Sequence, residues 1–313
     1  MLDFFRSAPK PKRILMLVTL ATCCLLVLCT VMIPIAQAID NAQPNPGPND
    51  NNPSGNNPPQ GSSVSYTTMP VASSDVYTKG SLLIVSTTVK IQTYPDVDQL
   101  VTLTGVNKPY ETRAGLTLRL RSEAFDAFED MMTAYHAATN DGSVTVTAAF
   151  RDEADQAALS SSAVQAGYSD HHLALSVALK KDGAELPAGH WIYENGYRYG
   201  YVQRYPAGKE ASTGDTQRYY NCVRYVGIPH ATYMHNNDLS LEEYVNAVKA
   251  YTYDKEHLTI TAEGATYEVF YVPANVSGAD AVTTLPVPAD AAAHPYTYSG
   301  NNTDGFIVTV RVS

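Results

Sequence analysis

The chain has 313 residues, 44% of them hydrophobic and 17% charged, with a net charge of −10. This balance is that of a globular protein, not a disordered one, with room for one sizeable domain plus extras or for two small ones. Residues 1–13 hold Arg6, Lys10, Lys12 and Arg13 against Asp3, a local +3 that leaves −13 on everything after it; so acidic a body argues against nucleic acid, whose phosphates need a basic surface.

After the basic head (residues 1–13), an apolar run extends from Ile14 to Ile35. At about 1.5 Å per residue it reaches roughly 33 Å, enough to cross a bilayer core. Positive charge ahead of the run places the amino end in the cytoplasm and sends the rest outward. Ala36-Gln37-Ala38 fits a signal-peptide cleavage pattern, but the run is longer than the usual signal core of about 7–15 residues. Residues 14–38 are therefore read as a transmembrane signal anchor, with a cleaved signal peptide as the alternative. Either reading exports the body, and the first makes a single-pass cell-membrane protein. Cys23, Cys24 and Cys29 lie inside the run and Cys222 alone in the body, so the body has no intrachain disulfide.

Residues 39–74 are read as a linker, since Asn41 to Gln60 is dominated by Asn, Pro and Gly and lacks large apolar residues. Ser81 to Ser86 is a β-rich run, and Leu116 to Leu120 alternates as a half-buried strand does. Phe125, Phe128, Met131, Met132 and Tyr135 recur at helical spacing until Asn140-Asp141-Gly142 stops them. Val144 to Ala148 reads as a strand, Asp155 to Val164 as a short helix, Leu173 to Leu179 as a strand, and a helix starts near His190. Ser240, followed three residues later by Glu243, has the pattern of a capping box. Beyond Tyr253, Leu258–Thr261, Thr266–Val272 and Ile307–Val312 read as strands between Gly, Pro, Asn and Asp turns. The expected fold is α+β: a main domain over 75–252, with a small antiparallel sheet and packed helices, and a small all-β appendage over 253–313.

Several stretches together resemble the VanY-type D-alanyl-D-alanine carboxypeptidases. Besides the Ser81–Ser86 run, they are Thr147-Ala148-Ala149-Phe150-Arg151 with Gln156, Gly167-Tyr168-Ser169-Asp170-His171, and Glu194-Asn195 through Tyr199-Gly200-Tyr201. Arg204-Tyr205-Pro206-Ala207-Gly208-Lys209-Glu210 with Thr213-Gly214, Arg224-Tyr225-Val226-Gly227 and Leu241-Glu242-Glu243-Tyr244 complete the series. Order and spacing agree over roughly residues 78–246. The resemblance implies a metallopeptidase domain of the bacterial cell envelope acting on peptidoglycan. In that family zinc is held by a His, an Asp seven residues later and a second His, and a Glu serves as general base. Zinc activates a water and the carboxylate takes its proton. The resemblance also gives Arg151 the terminal carboxylate of the substrate, which a guanidinium can grip with two parallel hydrogen bonds.

The chain departs from this pattern where the chemistry lies. His171 occupies the first ligand position, but Ala178 stands at the second, Cys222 at the third and Tyr219 at that of the base. Residues 215–223 contain no His and no Glu, so a shift of alignment does not rebuild the site. The connector from Gln156 to Gly167 is also shorter than the family's. His172 is expected on the face opposite His171, His230 at the surface or as a cap, Cys222 as a buried free thiol, and Asp170 and Asp215 in solvent. Arg151, Gln156 and Ser169 survive together as candidate substrate-binding residues, with Ser169 and His171 facing the same way on an extended segment. Tyr197, Tyr199, Tyr201, Tyr205, Tyr219 and Tyr220 crowd the segment bordering the cleft.

The favoured reading is a pseudoenzyme that binds peptidoglycan stem peptide or an envelope protein without zinc. An active zinc D,D-carboxypeptidase with a rearranged site, and a structural or assembly protein acting through the β appendage, are the alternatives.

Overall fold

The computed structural model describes residues 64–159, 164–215, 219–278 and 280–313. The basic head, the anchor 14–38 and residues 39–63 of the linker lie outside these, and among the described residues no helix is long and apolar enough to cross a membrane.

The strands of the first half are β1 (Tyr66–Ala72), β2 (Val101–Leu103), β3 (Glu111–Thr112), β4 (Leu118–Leu120), β5 (Val144–Ala148), β6 (Ser176–Lys181) and β7 (Ala184–Glu185). Those of the second half are β8 (Tyr201–Gln203), β9 (Cys222–Tyr225), β10 (Leu258–Ala262), β11 (Ala265–Pro273), β12 (Val282–Pro288), β13 (Tyr296–Gly300) and β14 (Gly305–Arg311). The helices are α1 (Ser122–Thr139), α2 (Glu153–Ala157), α3 (Trp191–Asn195), α4 (Glu210–Thr213), α5 (Ile228–Asn236) and α6 (Leu241–Val248).

The central sheet runs β3-β5-β6-β9-β8, with β7 paired to β6. It is antiparallel except for the β3–β5 pair. One face carries α1, whose Ala124, Phe128, Met131, Met132 and Tyr135 recur at helical spacing and are buried. Asn140 ends that helix in the left-handed region, φ 55°, where Asn is tolerated better than most residues. The core beneath it gathers Val144 and Val146 of β5, Val177 and Leu179 of β6 and Val223 of β9.

The Ser240 capping box is present: the Ser240 hydroxyl accepts from Glu243 N, and Glu243 accepts from Ser240 N. Ser240→Ala is expected to lower stability by about 1 kcal/mol, read as a lower denaturant midpoint at unchanged slope. An unaltered midpoint would show that the cap contributes nothing.

Several expectations change. Ser81–Ser86 is no strand; its backbone is satisfied by side chains, as Leu82 N donates to Ser299, Ile84 O accepts from Asn302, and Leu83 O and Val85 O accept from Arg224 and Arg204. The linker read over 39–74 gives way to β1 by Tyr66, which pairs along its length with β12. The helix placed at Asp155–Val164 begins at Glu153, where Asp152 caps it, and ends at Ala157. The strand placed at Leu173–Leu179 starts at Ser176, because Asp170–Leu173 forms a 3-10 turn closed by Ala174 at φ 57°. Leu116 is exposed and β4 begins at Leu118. Strands β2, β3, β7, β8, β9, β12 and β13 were not expected.

The sheet β10-β11-β14-β13 does not stand apart from the rest. Leu258, Ile260, Val269 and Ile307 pack in one buried cluster with Leu82, Ile84, Met234 and Tyr244. The opposite face, with Phe270, Phe306 and Val308, packs on Val71 of β1 and Leu285 of β12. Chain on both sides of residue 253 thus shares a core, and all described residues lie in one compact unit.

Candidate functional site

A cavity of about 820 Å3 opens over the central sheet, lined by Arg151, Gln156, Ser169, His171, Ala178, Tyr219 and Cys222. These are the seven positions the motifs singled out, and they arrive from separate elements. Ala178 of β6 and Cys222 of β9 are directly opposite each other across an antiparallel pair. His171 comes from the 3-10 turn before β6, and Arg151 and Gln156 from the loop and helix after β5. Ser169 and His171 are not on one extended segment as expected: Ser169 is extended and His171 lies within the turn, yet both reach the cavity.

Arg151 is half-buried and its Nη1 donates to Gln156 Oε1 at 2.9 Å, while Gln156 Nε2 donates to Val164 O at 2.7 Å. The buried Gln156 thereby fixes the guanidinium. Among the described residues Arg151 makes no ion pair, with Asp152 or Glu153 included. Burial pulls the Arg151 pKa down, but a guanidinium stays charged.

His171 is 9% exposed, and its Nδ1 is buried without a hydrogen-bond partner. Burial, followed by the Arg151 charge, pulls its pKa down to about 3, so the imidazole is neutral. Burial also pushes the Cys222 thiol up to about 12, with Asp170 adding to the shift. With no metal beside it, it is a thiol at neutral pH. Burial and the nearby Asp215 raise the Tyr219 phenol, which is no base at neutral pH.

Zinc does not fit this set. A zinc site takes three or four deprotonated protein donors; here His171 and Cys222 offer two at most, and Ala178 only a methyl group. Among the described residues no group of three His, Cys, Asp or Glu could hold a metal. His172 is no substitute, since its Nδ1 bonds Arg151 O at 2.7 Å and its Nε2 accepts from Gly167 N at 2.9 Å.

Asp170, expected in solvent, is buried beneath the cavity. Its Oδ1 accepts from Arg204 Nε at 2.9 Å and Arg224 Nη1 at 2.5 Å, and its Oδ2 accepts from the Ser176 hydroxyl. Both arginines are fully buried. Burial alone would raise the Asp170 carboxyl, but Arg224 and Arg204 outweigh it and hold the pKa below the usual range. The motif reading quoted all three residues without giving them a role; charged residues inside buried-looking blocks were the available signal.

Asp215 is also buried, and accepts from Tyr219 N. His230 is neither surface nor cap: it is buried, bonded through Nδ1 to the Tyr244 hydroxyl at 2.6 Å and through Nε2 to Thr309 at 3.2 Å. Of the six crowded tyrosines only Tyr205 and Tyr219 line the cavity. Tyr201 is core, donating to Ala124 O, and Tyr197 stacks on His235.

Fold and cleft together define an α+β domain with a cavity over its central sheet. It shares its fold with the vancomycin-resistance D,D-dipeptidase VanXYg, solved with a D-Ala-D-Ala phosphinate analogue, at TM-score 0.63 and 23% identity over 79% of this chain and 99% of that one. That overlap exceeds residues 75–252 and takes in part of the chain beyond them. A D-alanyl-D-alanine carboxypeptidase of Enterococcus faecium is 36% identical over 151 residues, 47% of this chain and 46% of that protein. One of Enterococcus faecalis is 40% identical over 86 residues, 26% of this chain and 32% of that protein. The chain spans half or less of the length of the curated relatives it matches. No protein-family model matches it. These relatives and this fold support a resemblance to the VanY-type D-alanyl-D-alanine carboxypeptidases.

Proposed function

We propose that the protein is a membrane-tethered, extracytoplasmic member of this family that binds the free C-terminus of cell-wall stem peptides without hydrolysing them. One observation carries the reading. Arg151 is oriented by Gln156, forms no ion pair among the described residues and lines the cavity, while the adjacent ligand and base positions hold Ala178, Cys222 and Tyr219. The carboxylate-binding half of the cleft is retained, and the half that would activate water lacks its chemistry. The relatives' activity on D-alanyl-D-alanine supports the choice of ligand class. The basic head and apolar run of residues 1–38 support the tether and the outward orientation of the body.

Calorimetric titration of the full-length chain with peptides ending in D-Ala-D-Ala tests this. Binding is expected with no release of D-alanine. Arg151→Ala should weaken binding by about 1.5–3 kcal/mol, the range for a hydrogen bond to a charged group. Amidating the peptide C-terminus should cost a similar amount, and the two losses should not add, because each removes the same contact. Zinc-dependent release of D-alanine that His171→Ala abolishes would sink the proposal, as would equal binding of free and amidated peptides.

A further inference from the structure

The cavity wall is more basic than the chain that builds it. Arg113, Arg151 and Lys180 all line it, in a chain of net charge −10. Among the described residues none of the three forms an ion pair. Two carboxylates also line the cavity, Asp170 and Glu185. Asp170 is already neutralised by Arg204 and Arg224, so among the described lining residues Glu185, the cross-strand partner of Lys180, is the one carboxylate left against three cations.

The strand register places these charges. Lys180 and Ala178 are two apart on β6 and share a face, about 7 Å from one to the other. Ala178 is opposite Cys222, and both line the cavity with His171. Lys180 therefore stands one pleat repeat beyond Ala178. Arg113 follows β3 directly, and its backbone N–H donates to Val146 O of β5 at 3.0 Å. Lys180 pairs with Thr145 of β5, whereas Arg113, one past the Thr112–Val146 pair, is level with Thr147, so two strand spacings and two residues along them, roughly 12 Å, separate Arg113 from Lys180. Arg151 follows β5 past Ala148, the end nearer Arg113 and farther from Lys180.

We propose that Arg113 and Lys180 form a second anion subsite, which takes a carboxylate carried by a peptide whose C-terminus lies on Arg151. This rests on the role given to Arg151 above. An extended peptide advances about 3.3 Å per residue. A ligand running from Arg151 across Ala178 reaches Lys180 and Arg113 with the residue three or four places from its C-terminus. Two cations on one anion favour a carboxylate there over an amide, and a cationic side chain is repelled. The pair thus selects among stem peptides by the charge of an internal residue, while Arg151 reads only the end.

Titration of the full-length chain with Ac-Ala-Xaa-D-Ala-D-Ala, where Xaa is Glu, Gln or Lys, tests the subsite. A second set moves Xaa one place towards the amino end. In at least one set the Glu peptide should bind about tenfold more tightly than the Gln peptide, one contact of about 1.4 kcal/mol, with Lys weakest. Arg113→Ala combined with Lys180→Ala should erase the Glu preference yet keep the penalty for C-terminal amidation. Both side chains are at least partly exposed, so the thermal melt of the double variant should match the parent. Equal binding of Glu and Gln in both sets, with amidation still costly, overturns this subsite alone. Insensitivity to amidation, or no binding of any peptide, overturns it together with the reading of Arg151.

Discussion

Replacing Asp170 with alanine is expected to destabilise the fold by about 3–5 kcal/mol, because it strands buried charge. Arg204 and Arg224 are fully buried and both bond Asp170 Oδ1. Arg204 keeps a two-pronged contact with Glu242, at 2.6 and 3.1 Å, and Arg224 keeps the carbonyls of Ser81 and Leu83. Without Asp170, Arg224 retains no carboxylate, so the loss falls mainly on it. The same network ties the Ser81–Val85 segment to the central sheet, so local opening of that segment should accompany the loss. Solvent-facing pairs such as Lys209–Asp238, where Asp238 is 92% exposed, should matter little by comparison.

The pH dependence follows from the same carboxyl. Its folded pKa lies below the ordinary value of 3.8. The stability it contributes is therefore complete above about pH 4 and is lost as pH falls below that, where the unfolded chain takes up a proton the folded one refuses. Asp170→Asn keeps the shape, loses the charge, and should flatten the acid limb of the stability curve. Urea midpoints from pH 2 to pH 7 measure it. An Asn variant with the parent's acid limb would place that titration elsewhere. A variant too unstable to measure at low pH still reports the expected loss at pH 7.

The parts legible in the sequence were those decided locally or by motif order. Phe128, Met131, Met132 and Tyr135 announced α1 because a single helix face suffices to define it. The Ser240 cap needs only four consecutive residues. Arg151, Gln156, Ser169, His171, Ala178, Tyr219 and Cys222 could be placed in one cavity only because the order of several blocks is shared with a family; no one block carries that geometry. What stayed hidden depends on partners far along the chain. Leu82 to Val85 looks like a strand by content, but its polar partners are Ser299, Asn302, Arg204 and Arg224 rather than a neighbouring strand. The compositional change after Tyr253 looked like a domain boundary, yet Leu258 and Ile260 alternate towards Met234 and Tyr244, not towards a core of their own. Asp170 read as solvated because an isolated acid normally is, and its burial is tolerable only with two arginines that arrive 34 and 54 residues later.

The same geometry makes the absent metal site testable by reconstruction. Ala178→Asp with Cys222→His is expected to create a zinc site with a Kd near 1 μM, against weaker than about 1 mM for the parent, a change of about 4 kcal/mol. The two positions are Cα partners on neighbouring antiparallel strands, which sets their Cβ atoms about 4.5–5.5 Å apart. Both face the cavity that His171 enters with a neutral ring and a free Nδ1. Three donors then converge where the parent has at most His171 and the Cys222 sulfur, and an imidazole neutral at pH 7 replaces the thiol. Competition with a chromophoric chelator reads the affinity. Adding His171→Ala to the double variant should return it to parental weakness, which separates this site from zinc caught elsewhere on the surface. If the double variant unfolds cooperatively and still fails to bind zinc, positions 171, 178 and 222 do not converge as described. The case for a cleft disarmed by substitution at those positions would then fall with them.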